Sequence, residues 1–197
     1  MRAFHNDATI KANILSGLAV HRIADEIVQG KYWENGKGCA LGCTLESIRV
    51  MKGLDHIDHR SHALAERETG IPQILWRLED RIFEGLPNAL AKDWPEQFTA
   101  AINPGADLTM IWPRFALWLL TKELPQYVTK RPKIAAAIAE VTALYKEWSE
   151  TCKNPIAERW LKAKNTADAA TADAYAAAAA ADAAAATAAA YAYAAAA

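Results

Sequence analysis

The amino-acid sequence predicts an all-α fold, on three observations. Apolar residues recur at helical spacing over several long segments, proline repeatedly stands where a helix would take its first turn, and valine and isoleucine never alternate with polar residues over a strand's length. These place one multi-helix domain over residues 1–154 and a C-terminal helix over residues 155–197 that continues into an alanine-rich, low-complexity tail.

The first helix is expected over residues 7–29, capped by Asn6 or Asp7 and closed by Gly30. Ile10, Ile14, Ile23, Ala24, Ile27 and Val28 form its apolar arc, and Lys11, Arg22, Glu26 and Gln29 fall opposite. Residues 30–42 read as a glycine-rich loop carrying Tyr32 and Trp33, and CTLESIRVM as a short helix after it. Pro72, Pro95 and Pro132 then mark the starts of three further helices. In GADLTMIWPRFALWLLTKEL, Asp107 is the expected cap and Pro113 the expected kink or break. A last helix starts near Pro155 and meets no stop signal. Alanine has the highest helix propensity, so residues 165–197 would form a rod of about 50 Å with little side chain to bury. Asp168, Tyr175 and Asp182 recur every seven residues on one stripe of that rod. It reads either as a solvated tail or as a docking rod, since alanine lets helices approach closely and so opens a route to self-association.

Charge excludes one broad class of partner. The 197 residues carry a formal net charge of −1, and the tail holds three acids and no base, which leaves residues 1–164 with 22 bases against 20 acids. Neither balance attracts nucleic acid or an anionic membrane surface in general. No stretch is apolar enough to span a bilayer, and the start MRAFHNDATIKANILSG lacks the uninterrupted apolar run of a secretory signal. Three cysteines are too few and odd in number for a disulfide framework, so a reducing, cytoplasmic setting is expected.

Chemistry concentrates in GKGCALGCTLES and the HIDHRSHALAE run that follows. A helix beginning near Cys43 would place a thiol where unpaired N–H groups favour a thiolate. His62 and Glu66, at i and i+4, put an imidazole beside a carboxylate. Cys39, Cys43, His62 and Glu66 are thus the residue types of a catalytic cysteine–histidine–acid set, as in a thiol-dependent hydrolase or transferase. Cys39, Cys43, His59 and His62 are alternatively two thiolates and two imidazoles, the donors of a tetrahedral zinc site, although their spacing differs from that of a zinc finger. A third reading is structural: Gly38, Gly42 and both cysteines are small residues that let a loop pass close to the core. Tyr32 and Trp33, outside any helical periodicity, are the candidate anchors for a partner, with Trp33 alternatively folded back over the core. The seven tryptophans otherwise fall on apolar helix faces, and no Walker loop, dinucleotide fingerprint, HExxH or GxSxG motif occurs.

The phrases GKGCALGCT, HALAERETGIP, LEDRIFEGLP, WPEQF and GADLTMIWPRFALWLL, with an Ala/Tyr/Asp-rich tail, resemble a group of uncharacterised bacteriophage, prophage and bacterial proteins. KGLDHIDHR departs from that pattern. The resemblance implies a context and no residue roles: an accessory protein inside a bacterial cell. Together with the absence of a strong catalytic motif, the expectation is a helical protein that binds another macromolecule, a protein, without catalysis.

Overall fold

The computed structural model describes residues 1–125 and 131–195, with side chains described through residue 176. Helices dominate, as expected, and one two-stranded β-ribbon accompanies them among the described residues. The chain divides into two compact units, Met1–Trp112 and Pro113–Ala197. The division expected at residues 154/155 falls inside the second.

In the first unit, α1 spans Ala8–Ile23, with the Asp7 carboxylate accepting the Thr9 N–H at 2.7 Å as its cap. It stops well short of Gly30. Asp25 turns the chain through a left-handed conformation at φ 57°, and Ile27 and Val28 leave the helix to lie along Gly38, where Val28 N–H donates to Gly38 O at 2.8 Å and Gly38 N–H to Glu26 O at 2.9 Å. β1 (Trp33–Glu34) and β2 (Lys37–Gly38) form the ribbon. α2 (Ala40–Lys52) begins directly after Cys39, and every residue from Ala40 to Ile48 is buried. A helix buried on all faces is the centre of its unit; α1, α3 (His62–Thr69), α4 (Gln73–Gly85) and α6 (Trp94–Ala101) pack around it, with the single turn α5 (Asn88–Ala91) between the last two. The N-terminal residues are stitched in by Ala3 N–H to Ala106 O and Gly105 N–H to Ala3 O, and Phe4 is wholly buried.

Close approach of backbone explains the glycines of GKGCALGCT. A Cβ on Gly38 would lie 2.1 Å from the Tyr32 carbonyl oxygen, and one on Gly42 1.5 Å from the same atom. The loop crosses the start of α2 on these two glycines, as the structural reading of this stretch expects.

α7 (Ile111–Trp118) carries Pro113 in its first turn, where a missing N–H breaks no helical bond. A π-helical turn, Leu119–Glu123, follows it. In the second unit, α8 (Pro132–Thr151) and α9 (Ala157–Ala195) form an antiparallel hairpin. Arg159–Glu147 and Lys133–Asp173 ion pairs, at 2.7 and 2.6 Å, fix its two ends, and Tyr145, Trp148 and Trp160 cluster near its turn. The alanine-rich helix is therefore not bare along its whole described length: Ala163 and Ala170 are buried, because a side chain of one methyl lets α9 come close to α8. Asp182 lies beyond the described side chains.

Candidate functional site

Four segments converge beside the N-terminus of α2. The loop supplies Gly30, Lys31 and Tyr32, the start of α2 supplies Cys39, and α4 supplies Asp80 and Glu84; together they line a cavity of about 230 Å³. His62, at the start of α3, reaches the same cluster: its Nε2 is 3.6 Å from an Asp80 oxygen, and its ring meets Tyr32 edge-on at 6.3 Å. The sulfur of Cys39 and one oxygen each of Asp80 and Glu84 lie within 4.8 Å of one another. Gly30, at φ 86°, turns its N–H onto both Glu84 oxygens at 3.0 and 3.2 Å.

This pocket is poorly neutralised. Glu79, one residue before Asp80, is 1 % exposed, and neither of its oxygens has a hydrogen-bond partner. Burial, reinforced by Asp80 and Glu84, pushes its carboxyl well above the usual range. His62 Nε2 is likewise buried without a hydrogen-bond partner. Desolvation lowers the His62 pKa, with Arg77 acting the same way and Asp80 opposing, so the ring favours its neutral form. Among the described residues, no lysine or arginine stands within 4.0 Å of the Glu79, Asp80 or Glu84 carboxylates.

The two thiols are not poised as nucleophiles. Cys39 is 1 % exposed; burial raises its pKa far above the ordinary value, and Asp80 and Glu79 push in the same direction against the Gly42 amide. Cys43 is fully buried, donates its S–H to Gly38 O at 3.4 Å, and is pushed up to about 12 by burial first and Glu26 next. The expected helix-start effect at Cys43 is absent because α2 begins at Ala40, three residues earlier, which puts Cys43 at the end of its first turn.

The sequence-predicted sets are thus regrouped. Cys39 and His62 share a cluster, but the carboxylate facing His62 belongs to Asp80. Glu66 instead accepts the Gln73 N–H at 2.9 Å and so tethers the start of α4 to α3. The set Cys39, Cys43, His59 and His62 does not converge; among the described residues, the group within reach of one ion is Cys39, Asp80 and Glu84. His59 is held elsewhere, with Nε2 2.9 Å from Glu46 Oε2, where Arg49 also grips Glu46 through two bonds of 2.8 Å.

Tyr32 and Trp33 are not free anchors. Trp33 is half-buried, stacked on His59 at 5.4 Å and met edge-on by His21 at 5.3 Å, in the folded-back position. Tyr32 covers the cavity against His62. Exposed apolar side chains stand elsewhere, among them Val20 at 61 %, Ile23 at 83 % and Val50 at 63 % on α1 and α2, and Leu90, Ile156 and Leu161 on other segments. Val20 and Val50 flank a groove of about 460 Å³ whose other lining residues include Ser16, Gly17, Ser47 and Met51. Gly17 sets the spacing, since a Cβ there would meet Ser47 Oγ at 2.3 Å.

Asp80 and Glu84 were missed in sequence because an i, i+4 acidic pair on a helix usually faces water; their place in LEDRIFEGLP one turn apart was the signal available. No helix among the described residues is long and apolar enough to cross a membrane. The chain matches no protein-family model, no curated protein and no solved structure.

Proposed function

We propose that this chain is a helical binding protein of the bacterial or phage-infected cytoplasm that holds a partner protein through the α1–α2 groove, without catalysis. The observation that carries this reading is the exposure of Val20, Ile23 and Val50 along two packed helices. Charged side chains bordering the face are engaged within the chain: Glu26 with His21, Arg49 with Glu46, Lys52 with Glu68, and Arg22 with Asp93 and Glu96. The groove's lining carries no lysine, arginine or carboxylate; Val20, Val50 and Met51 offer apolar contact beside the neutral polar groups of Asn13, Ser16 and Ser47 and the His21 ring, and an amphipathic partner helix is the matching chemistry. Burying each exposed valine or isoleucine is worth about 1.5–3 kcal/mol before the costs of association.

The test is capture by the parent chain and by a Val20→Asp/Val50→Asp double variant. Both positions are exposed, so the variant should keep the parent's stability within about 1 kcal/mol while losing the specifically retained partner. Retention of the same partner by a folded double variant refutes the groove.

A second reading, a thiol-dependent hydrolase or transferase, is favoured by one observation: Cys39 and Asp80 border one cavity, and His62 Nε2 lies 3.6 Å from Asp80. It requires fast iodoacetamide labelling of Cys39 in the native chain near pH 6. Exposed Cys152 labelling first, with Cys39 and Cys43 silent until unfolding, is the outcome their burial predicts, and it removes this reading.

A further inference from the structure

The cluster at the start of α2 has the composition of a cation site, and among the described residues no lysine or arginine lies within 4.0 Å of its carboxylates, although Lys31 lines the same cavity. It combines a soft donor, Cys39, with two hard ones, Asp80 and Glu84, on a preformed cavity. A second observation stands beside it: fully buried Glu79, one residue before Asp80, has two oxygens without hydrogen-bond partners. The nearby His62 Nε2 is also without a hydrogen-bond partner. Two carboxylates held close to one thiol, with no ion pair to a lysine or arginine among the described residues, are a costly arrangement for a purely structural corner.

We propose that Cys39, Asp80 and Glu84 bind one divalent cation of the zinc class, with His62 as a positioning residue that orients Asp80. The donor set selects the metal: one thiolate with two carboxylates suits zinc, whereas magnesium and calcium favour oxygen alone. Zinc bonds of about 2.0–2.3 Å put tetrahedral donors about 3.3–3.8 Å apart. The present separations, within 4.8 Å, therefore need an inward movement of about 1 Å, within reach of side-chain torsions on α4. The thiol's proton leaves to solvent as the sulfur–metal bond forms. Three protein donors leave a fourth position for water or for an oxygen or nitrogen donor of a ligand, facing the cavity under Tyr32 and Lys31. Gly30, whose N–H holds Glu84, couples the site to the loop. This site stands apart from the α1–α2 groove, and either holds if the other fails.

The experiment uses the full chain, stripped with a chelator under reducing conditions and titrated with Co²⁺, then with Zn²⁺ in competition. The expected result is one equivalent bound, with a thiolate-to-cobalt charge-transfer band that zinc abolishes. Cys39→Ser should remove the band; Cys152→Ser and His59→Gln should keep it. Asp80→Asn and Glu84→Gln should weaken affinity by at least about tenfold. These two side chains are partly or well exposed, so they decide the matter even if Cys39→Ser fails to fold. No band in the parent, a band surviving in Cys39→Ser, or unchanged affinity in both carboxylate variants overturns the proposal.

Discussion

Gly42→Ala should destabilise this protein, although the same change in a helix interior ordinarily stabilises by about 1 kcal/mol. Gly42 lies in the first turn of α2 with ordinary helical torsions, so propensity alone favours alanine. The added Cβ, however, would sit 1.5 Å from the Tyr32 carbonyl oxygen and 2.6 Å from its carbon, both backbone atoms. Restoring ordinary contact requires the loop to withdraw by about 1.5–2 Å, which overpacking precedents put at about 1–3 kcal/mol. That movement also strains the bonds from Cys39 N–H to Lys31 O and Tyr32 O, at 2.7 and 3.2 Å, each worth about 1 kcal/mol, and shifts Trp33 from its place between His21 and His59. Offset by the propensity gain, the net loss should be about 2–4 kcal/mol. Urea denaturation followed by circular dichroism measures it directly, and for a chain of this size the melting midpoint should fall by about 4–16 °C. Gly85→Ala is the control: nothing lies within 4 Å of its new Cβ, and it should be neutral or slightly stabilising. A Gly42→Ala variant as stable as the parent would mean that the loop does not cross α2 on this residue.

Two further outcomes follow from the ion pairs and the hairpin. The Arg49 side chain, with His59, holds Glu46 down to about 2 against the cost of its burial; a depressed carboxylate contributes stability above its unfolded value near 4.5 that is lost as pH falls through the folded one. Stability should therefore drop by about 3 kcal/mol between pH 4.5 and 2 on account of this group, and Glu46→Gln, less stable at pH 6, should show a flatter profile in urea midpoints taken across that range. Truncation after Lys164 should expose Ile134, Ala137, Ile138 and Val141 of α8, which line a cavity of about 200 Å³ with Ala167, Ala170 and Thr171, and so lower the stability of the second unit. Truncation after residue 176 keeps those contacts and Lys133–Asp173 and should leave it unchanged; equal melting of both truncated chains and the parent would show that α9 contributes nothing to α8.

The helical class was legible because its signals are local. Pro95 and Pro132 stand in first turns, and Asp7 caps α1. What local periodicity could not separate is a helix from an extended segment that continues its apolar spacing. Ile27 and Val28 fit the arc of α1, yet they serve the pairing with Gly38, so α1 ends at Ile23. The candidate site shows the same division. His62 and Glu66 share a helix face by spacing, and both turn to α4 instead of to each other, His62 toward Asp80 and Glu66 to the Gln73 N–H. Likewise, no local rule marks Asp80 and Glu84 as different from a solvated acidic pair. Their meaning comes from Cys39 and the loop brought against them from 40 or more residues away.

The two small residues of GKGCALGCT tie stability and site together. The Tyr32 carbonyl rests on Gly38 and Gly42, and this contact holds Gly30, Lys31 and Tyr32 over Cys39 as one wall of the cavity. A loop displaced by any side chain at residue 42 would carry Gly30 away from Glu84 and open that wall, so a lesion in packing is at the same time a lesion in the cation site. The α1–α2 groove is built chiefly on a different close approach, that of Gly17 to Ser47, and touches the loop where His21 meets Trp33. Loss of metal affinity with partner capture intact is therefore the signature of a displaced loop, and loss of capture with metal affinity intact the signature of a damaged groove. Gly42→Ala and the Val20→Asp/Val50→Asp pair should separate the two.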